Sequence, residues 1–169
     1  LIVALGPSKA MTIRLRDLSL KCGDIIMTHR SPRVAFFVGS PWTHIGVVLK
    51  DKYARTFVAD IFPSQTCALR DARSVLVREM VRGTPVGVRK LNMEANGRLL
   101  FTYVRQNNTR KYNHSYIVPV ISNHAWFFSV KQRSDAHFCS SFVGGALTFA
   151  GVLDHTCKYR NLLPSDFAR

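Results

Sequence analysis

Residues 136–150, AHFCSSFVGGALTFA, decide how this chain is read. Phe138, Phe142, Ala146 and the Phe149/Ala150 pair recur at helical spacing, Ser134 or Asp135 is placed to cap the start, and Gly151 is a natural stop. The spacing predicts a helix over 136–150. Gly144 and Gly145 in its middle cost about 1 kcal/mol each relative to alanine, a cost that suits a place where another backbone passes close by. Cys139 falls in the first turn, where unpaired N–H groups and the positive end of the helix dipole favour an anion. A thiolate there is a competent nucleophile, and the neighbouring amides, with Ser140 beside them, are placed to hold an oxyanion.

Outward from this helix the pattern becomes extended. Asp24–Thr28 (DIIMT) is a short apolar run. His44–Leu49 (HIGVVL) is rich in β-branched residues and closes on the charged turn Lys50-Asp51-Lys52. Thr56–Ile61 (TFVADI) alternates Phe57, Ala59 and Ile61 with Val58 and Asp60, which is strand periodicity. Val86–Leu91 and Tyr116–Val120 read as further strands, the latter near an edge because of Pro119. Asn92 is placed to cap a second helix running to Arg105, with Met93, Leu100 and Val104 on one side. The class predicted is α+β: an antiparallel sheet of about five strands with helices packed on it. A chain of 169 residues suggests one core. The expected organisation is a basic lead-in at 1–21 and a single domain at 22–169.

A nucleophilic thiol needs a base, and the base needs an orienting acceptor. His44 opens an apolar strand and shares a face with Gly46, whose missing side chain leaves room beside it. Asp60 is the one acid of the next strand. A hairpin through the 50–55 turn brings the two near each other on one face. His137, two residues before the thiol, is the rival base, but that spacing at a helix start points the two side chains apart.

The strings CGDIIM (22–27), PWTHIGVVL (41–49), FVAD (57–60), HFCSSFVGGALTFAGV (137–152) and LLPSDFA (162–168) together resemble the circularly permuted NlpC-type, papain-like hydrolases of the YiiX-like group. The resemblance spans about Cys22 to Phe167 and implies a permuted papain-like fold. It also implies the roles: Cys139 as nucleophile, His44 as general base, Asp60 as third member, and Tyr112 as a tyrosine lining the cleft. The implied chemistry is attack on an amide, ester or thioester carbonyl of an acyl or peptide-like substrate. The chain departs from the family at the acid, where Ala59-Asp60-Ile61 stands in place of a Glu followed by a small residue; a shift of one residue on a strand moves a side chain to the other face. Phe36, Phe37 and Trp42, just before His44, are read as an edge of the core in preference to an acyl pocket.

Charge suggests a second function. There are 24 Lys and Arg against 10 Asp and Glu, a net charge of +14, and 16 of the 24 are Arg. Guanidinium forks suit phosphate oxygens. The segment from Arg70 to Arg133 holds +9 of that charge, and Arg70, Arg73, Arg78 and Arg82 come every three to five residues, as if to line one side and face a polyanion. The alternative reading is thus a hydrolase-fold protein serving as a basic, RNA-contacting subunit of a ribonucleoprotein such as a mitochondrial ribosome; docking on an anionic membrane surface is a third.

The remaining features exclude more than they assign. No apolar run approaches the roughly 20 residues needed to cross a bilayer. Leu1–Leu5 is apolar but short, without a basic lead or an initiator Met, which reads as a trimmed chain. Cys22, Cys67, Cys139 and Cys157 form no C-x-x-C pair and no disulfide scaffold, so free thiols in an intracellular, reducing compartment (cytosol or mitochondrial matrix) are expected. Neither Cys22 with His29 nor His155 with Cys157 supplies four zinc ligands, and no metal or other cofactor is expected.

Overall fold

A computed structural model describes residues 2–5, 18–32, 35–36, 40–62, 66–109, 112 and 138–168. In chain order the strands are β1 (Ile2–Leu5), β2 (Ile25–Thr28), β3 (His44–Lys50), β4 (Thr56–Ile61), β5 (Cys67–Asp71) and β6 (Val86–Arg89). The helices are α1 (Ala72–Val81), α2 (Gly97–Asn107) and α3 (Cys139–Phe149), followed by short 3-10 turns at Tyr159–Asn161 and Pro164–Ala168. The fold is α+β. Its strands form one sheet in the order β1-β6-β2-β3-β4-β5, with every neighbouring pair antiparallel.

The sheet is covered on both faces, which is why β2 is an unbroken apolar run. Ile25, Met27, Ile45, Val47, Leu49, Ala59 and Ile61 point to one side and pack with Leu100, Tyr103 and Val104 of α2 and Phe142, Val143, Ala146 and Leu147 of α3. Ile26, Val48, Val58, Val86 and Val88 point to the other and meet Ala72 and Leu76 of α1, with Leu20. The hairpin β3–β4 turns where the charged Lys50-Asp51-Lys52 predicts: the Asp51 carboxylate accepts the N–H groups of Tyr53 and Arg55 at 2.9 Å each.

Several boundaries differ from the sequence reading. The lead-in is not separate from the domain, because Ile2–Leu5 pairs with β6 at the sheet edge and Leu18 and Leu20 pack on the α1 face. With β1 the sheet has six strands. Helix α2 starts at Gly97 instead of Asn92 because Asn96 is the residue whose side chain accepts the N–H groups of Arg98 and Leu99. Upstream of it the backbone bends at Asn92 and Met93 and is held out of the helix, Leu91 N–H donating to Asp24 and Ala95 N–H to the Cys22 carbonyl. Met93 is therefore exposed and off the helix. Helix α3 begins at Cys139, not at 136, because Phe138 is extended (φ −113°, ψ 172°). Ser141 caps this start from inside: its hydroxyl accepts the Phe138 N–H and donates to the Phe138 carbonyl, both at 3.0 Å. Residues 116–120, 134–135 and 137 lie outside the described residues.

The glycine pair inside α3 has the expected explanation. A Cβ on Gly144 would stand 2.8 Å from the Tyr159 Cβ, and one on Gly145 would collide with the Tyr103 hydroxyl. The helix is smooth there so that the C-terminal turn and α2 can press against it.

Candidate active site

The β3–β4 hairpin sets two of the predicted residues side by side. Its register pairs Val47 with Ala59, so one step further Gly46 faces Asp60 and His44 lies diagonally across. His44 Nε2 stands 3.1 Å from Asp60 Oδ2, and both side chains are buried. Gly46 is what permits this: a Cβ there would come within 2.5 Å of Val58 Cγ1 and 3.1 Å of Asp60 Cβ. The acid of the sequence Ala59-Asp60-Ile61 thus falls on the face of the histidine despite its departure from the family pattern.

Helix α3 delivers the sulfur. Cys139 is its first residue and is buried, and His44 interacts with the Cys139 side chain as well as with Asp60. Because His44 is the first residue of β3, its ring sits at the strand end, where a residue from the opposite layer can meet it. Burial, the largest single influence, pushes the imidazolium pKa down. The hydrogen bonds to Asp60 and Cys139 and the charges of both more than reverse this, and the pKa is raised from 6.5 to about 9. The ring therefore holds its proton through neutral pH.

Tyr112 belongs to the same neighbourhood. It packs against the core that holds Cys139, and burial first, then the Cys139 charge, pushes its phenol well above the ordinary value. Ser140 is turned elsewhere. Its hydroxyl donates to the Leu162 carbonyl at 2.5 Å and ties α3 to the C-terminal segment; what it can offer an oxyanion is its backbone N–H, one of the first-turn amides without a partner inside the helix. Trp42 packs on the core, Phe36 is exposed, and Phe37 lies outside the described residues.

The four arginines do not form one stripe. Arg70 sits on β5, diagonal to Asp60 through the pairing of Val58 with Arg70, and its guanidinium lies 3.4 Å from Asp60 Oδ1. Arg78 and Arg82 approach the buried carboxylate of Glu79 at 3.3 and 4.0 Å. Arg73 lies on the other side of α1, lining a cavity of about 220 Å³ with Leu18, Leu20, Lys50 and Leu76. The stripe fails because the chain changes from strand to helix at Asp71, which caps α1.

Sequence reasoning missed two neighbours of the site. The Phe62 ring stacks on His44 with centroids 4.2 Å apart and planes 22° apart, and Arg30 and Arg70 lie over Phe62 at 4.4 and 4.0 Å. Continuing the hairpin register past Ile61 is the signal for Phe62, which falls opposite His44. Arg30 lies just past the end of β2 and has no sequence signal of its own.

Cys22 and Cys67 are disfavoured as thiolates. Burial raises the Cys22 thiol, and burial followed by the Asp60 charge raises Cys67 to about 12. Among the described residues no group of three or more His, Cys, Asp or Glu side chains is arranged to hold a metal ion, and no helix is long and apolar enough to cross a membrane. No protein-family model matches the chain, and no curated protein matches it.

Proposed function

We propose that the protein is a thiol hydrolase or acyltransferase of the permuted papain-like kind, with Cys139 as nucleophile, His44 as acid–base and Asp60 as its orienting acid. The observation that carries this reading is the single buried imidazole that interacts with both a buried carboxylate and the cysteine at a helix N-terminus. In this reading the protonated ring stands beside the sulfur as the acid of the reaction. The thiolate attacks the carbonyl carbon of an amide, ester or thioester, and the carbonyl electrons move to an oxyanion facing the amides of Cys139 and Ser140. As the oxyanion collapses, the bond to the leaving group breaks and His44 supplies the proton that group takes. The neutral ring then draws a proton from water, or from another acceptor, as that oxygen or nitrogen displaces the acyl group from sulfur. Four free cysteines suit a reducing compartment.

The test is a generic activated ester. With p-nitrophenyl acetate the protein should release nitrophenol and carry an acetyl group on the Cys139 peptide. Cys139→Ser should lose both with an unchanged far-ultraviolet circular dichroism spectrum. An unmodified Cys139 peptide during turnover contradicts the reading. A second reading, an RNA-holding basic subunit, draws on the exposed side chains of Arg73, Arg78 and Arg82 along α1. It predicts RNA affinity that falls steeply with salt and no acyl adduct.

A further inference from the structure

His44 is tethered by its backbone and by one carboxylate, and neither fixes the plane of its ring. On one side the β2 ladder pairs it with Thr28. On the other, the pairing of β3 with β4 runs from Lys50 and Thr56 to Val47 and Ala59. Beyond that point side chains join the two strands. Asp60 Oδ2 stands 3.1 Å from His44 Nε2, and the Phe62 ring lies on the imidazole, with centroids 4.2 Å apart and planes 22° apart. The χ2 torsion of a histidine is broad, so a contact at one ring atom leaves the ring able to swing about it. A flat face in van der Waals contact removes that swing.

Phe62 is itself held. It follows the last residue of β4 and is half-buried. The guanidiniums of Arg30 and Arg70 lie over its ring at 4.4 and 4.0 Å. Arg30 is anchored from the α1 layer: Nη2 donates to the buried Glu79 at 2.5 Å, and Nε to the Thr28 hydroxyl at 3.3 Å. Arg70 stands 3.4 Å from Asp60 Oδ1. The circuit of contacts thus closes. The acid that engages the imidazole also engages a guanidinium lying over the ring that stacks on that imidazole.

We propose that Phe62 is a positioning residue for His44: its ring, braced by Arg30, fixes the imidazole plane in which both Asp60 and Cys139 are engaged. This rests on the thiol-hydrolase reading. A phenyl ring exchanges no proton, so its effect is on the orientation of the group that does. That effect is read best in deacylation, where the neutral imidazole draws a proton from the water that displaces the acyl group from sulfur.

The test is the decay of acetyl-Cys139 after p-nitrophenyl acetate is removed, followed by peptide mass spectrometry. In Phe62→Leu, which keeps apolar bulk without a flat face, decay should slow about ten- to hundredfold, toward that of the acetylated chain unfolded in urea. Phe62→Tyr keeps the face and should stay within about threefold of the parent. Arg30→Lys keeps a charge for Glu79 but loses the planar fork over the ring, and should slow decay about three- to tenfold. Asn96→Ala, which removes only the α2 cap, should decay like the parent and so separates lost positioning from lost stability. Parent-like decay in Phe62→Leu, or decay slowed as far in Phe62→Tyr as in Phe62→Leu, overturns the assignment and leaves the thiol mechanism standing. Where Phe62→Leu fails to fold or to acetylate, Arg30→Lys decides: slowed decay supports the assignment and parent-like decay overturns it. A parent protein that forms no acetyl adduct at Cys139 overturns both.

Discussion

Replacing Asp60 by Asn should change how stability depends on pH, and by a calculable amount. The folded protein raises the His44 pKa from 6.5 to about 9. At about 1.4 kcal/mol per pKa unit, the folded state holds the ring proton more tightly than the unfolded chain by about 3 kcal/mol. The sign follows from the direction of the shift. Because the folded value is the higher one, this stabilisation is fully present below pH 6.5 and is lost as pH rises through about 9. Asparagine keeps the shape of Asp60 but not its charge. Burial, the largest influence on His44, is then opposed only by Cys139, and the ring should hold its proton less tightly. Asp60→Asn should therefore be less stable than the parent near pH 6, by at most about 3 kcal/mol because part of the shift belongs to Cys139, with the gap narrowing toward pH 9. Urea unfolding followed by circular dichroism across that range measures the gap directly. A constant difference at every pH would show that Asp60 acts through Arg70 or through packing, and would refute the coupling to His44.

Three further outcomes follow from local geometry. Gly46→Ala should cost about 1–3 kcal/mol in urea unfolding, because its Cβ meets Val58 and Asp60, and nitrophenyl ester turnover should fall with it as Asp60 is displaced from His44. Asn96→Ala removes the α2 cap and should cost about 1 kcal/mol of thermal or urea stability, with acetylation of Cys139 unchanged. Ser140→Ala breaks the bond to the Leu162 carbonyl and should cost about 1 kcal/mol; acetylation of Cys139 should persist, since only the backbone of residue 140 faces the proposed oxyanion. Loss of the acyl adduct in that variant would assign the hydroxyl a role that its position does not suggest.

The sequence was most legible where period and turn chemistry agree. TFVADI and HIGVVL alternate around a charged turn, and the hairpin they form carries His44 and Asp60 within it. Helix α3 and its leading Cys139 were equally plain, although its start was read three residues early: Phe138 fits the helical spacing, and only the Ser141 hydroxyl binding back to Phe138 shows where the helix begins. At α2 two asparagines compete for the cap, and the winner is decided by Asp24 and Cys22 holding the preceding backbone, contacts remote in sequence. Strand β5 and helix α1 escaped because CALRD and ARSVLVREMV read first as a run of charge. Arg70 looked like one of four equivalent cations until the pairing of β4 with β5 placed it against Asp60. Ion pairs across a sheet depend on register, and a basic composition conceals which cations are already engaged.

The central claim is that the Cys139 sulfur and the His44 ring work as one unit, and alkylation of the four cysteines in the folded protein by iodoacetamide at neutral pH tests it most directly. Cys139 should react well ahead of Cys22 and Cys67, whose thiols burial holds in the protonated form, and His44→Ala should remove that lead while the other cysteines react as before. A Cys139 no faster than those two, or one whose rate ignores the loss of the imidazole, would contradict the account.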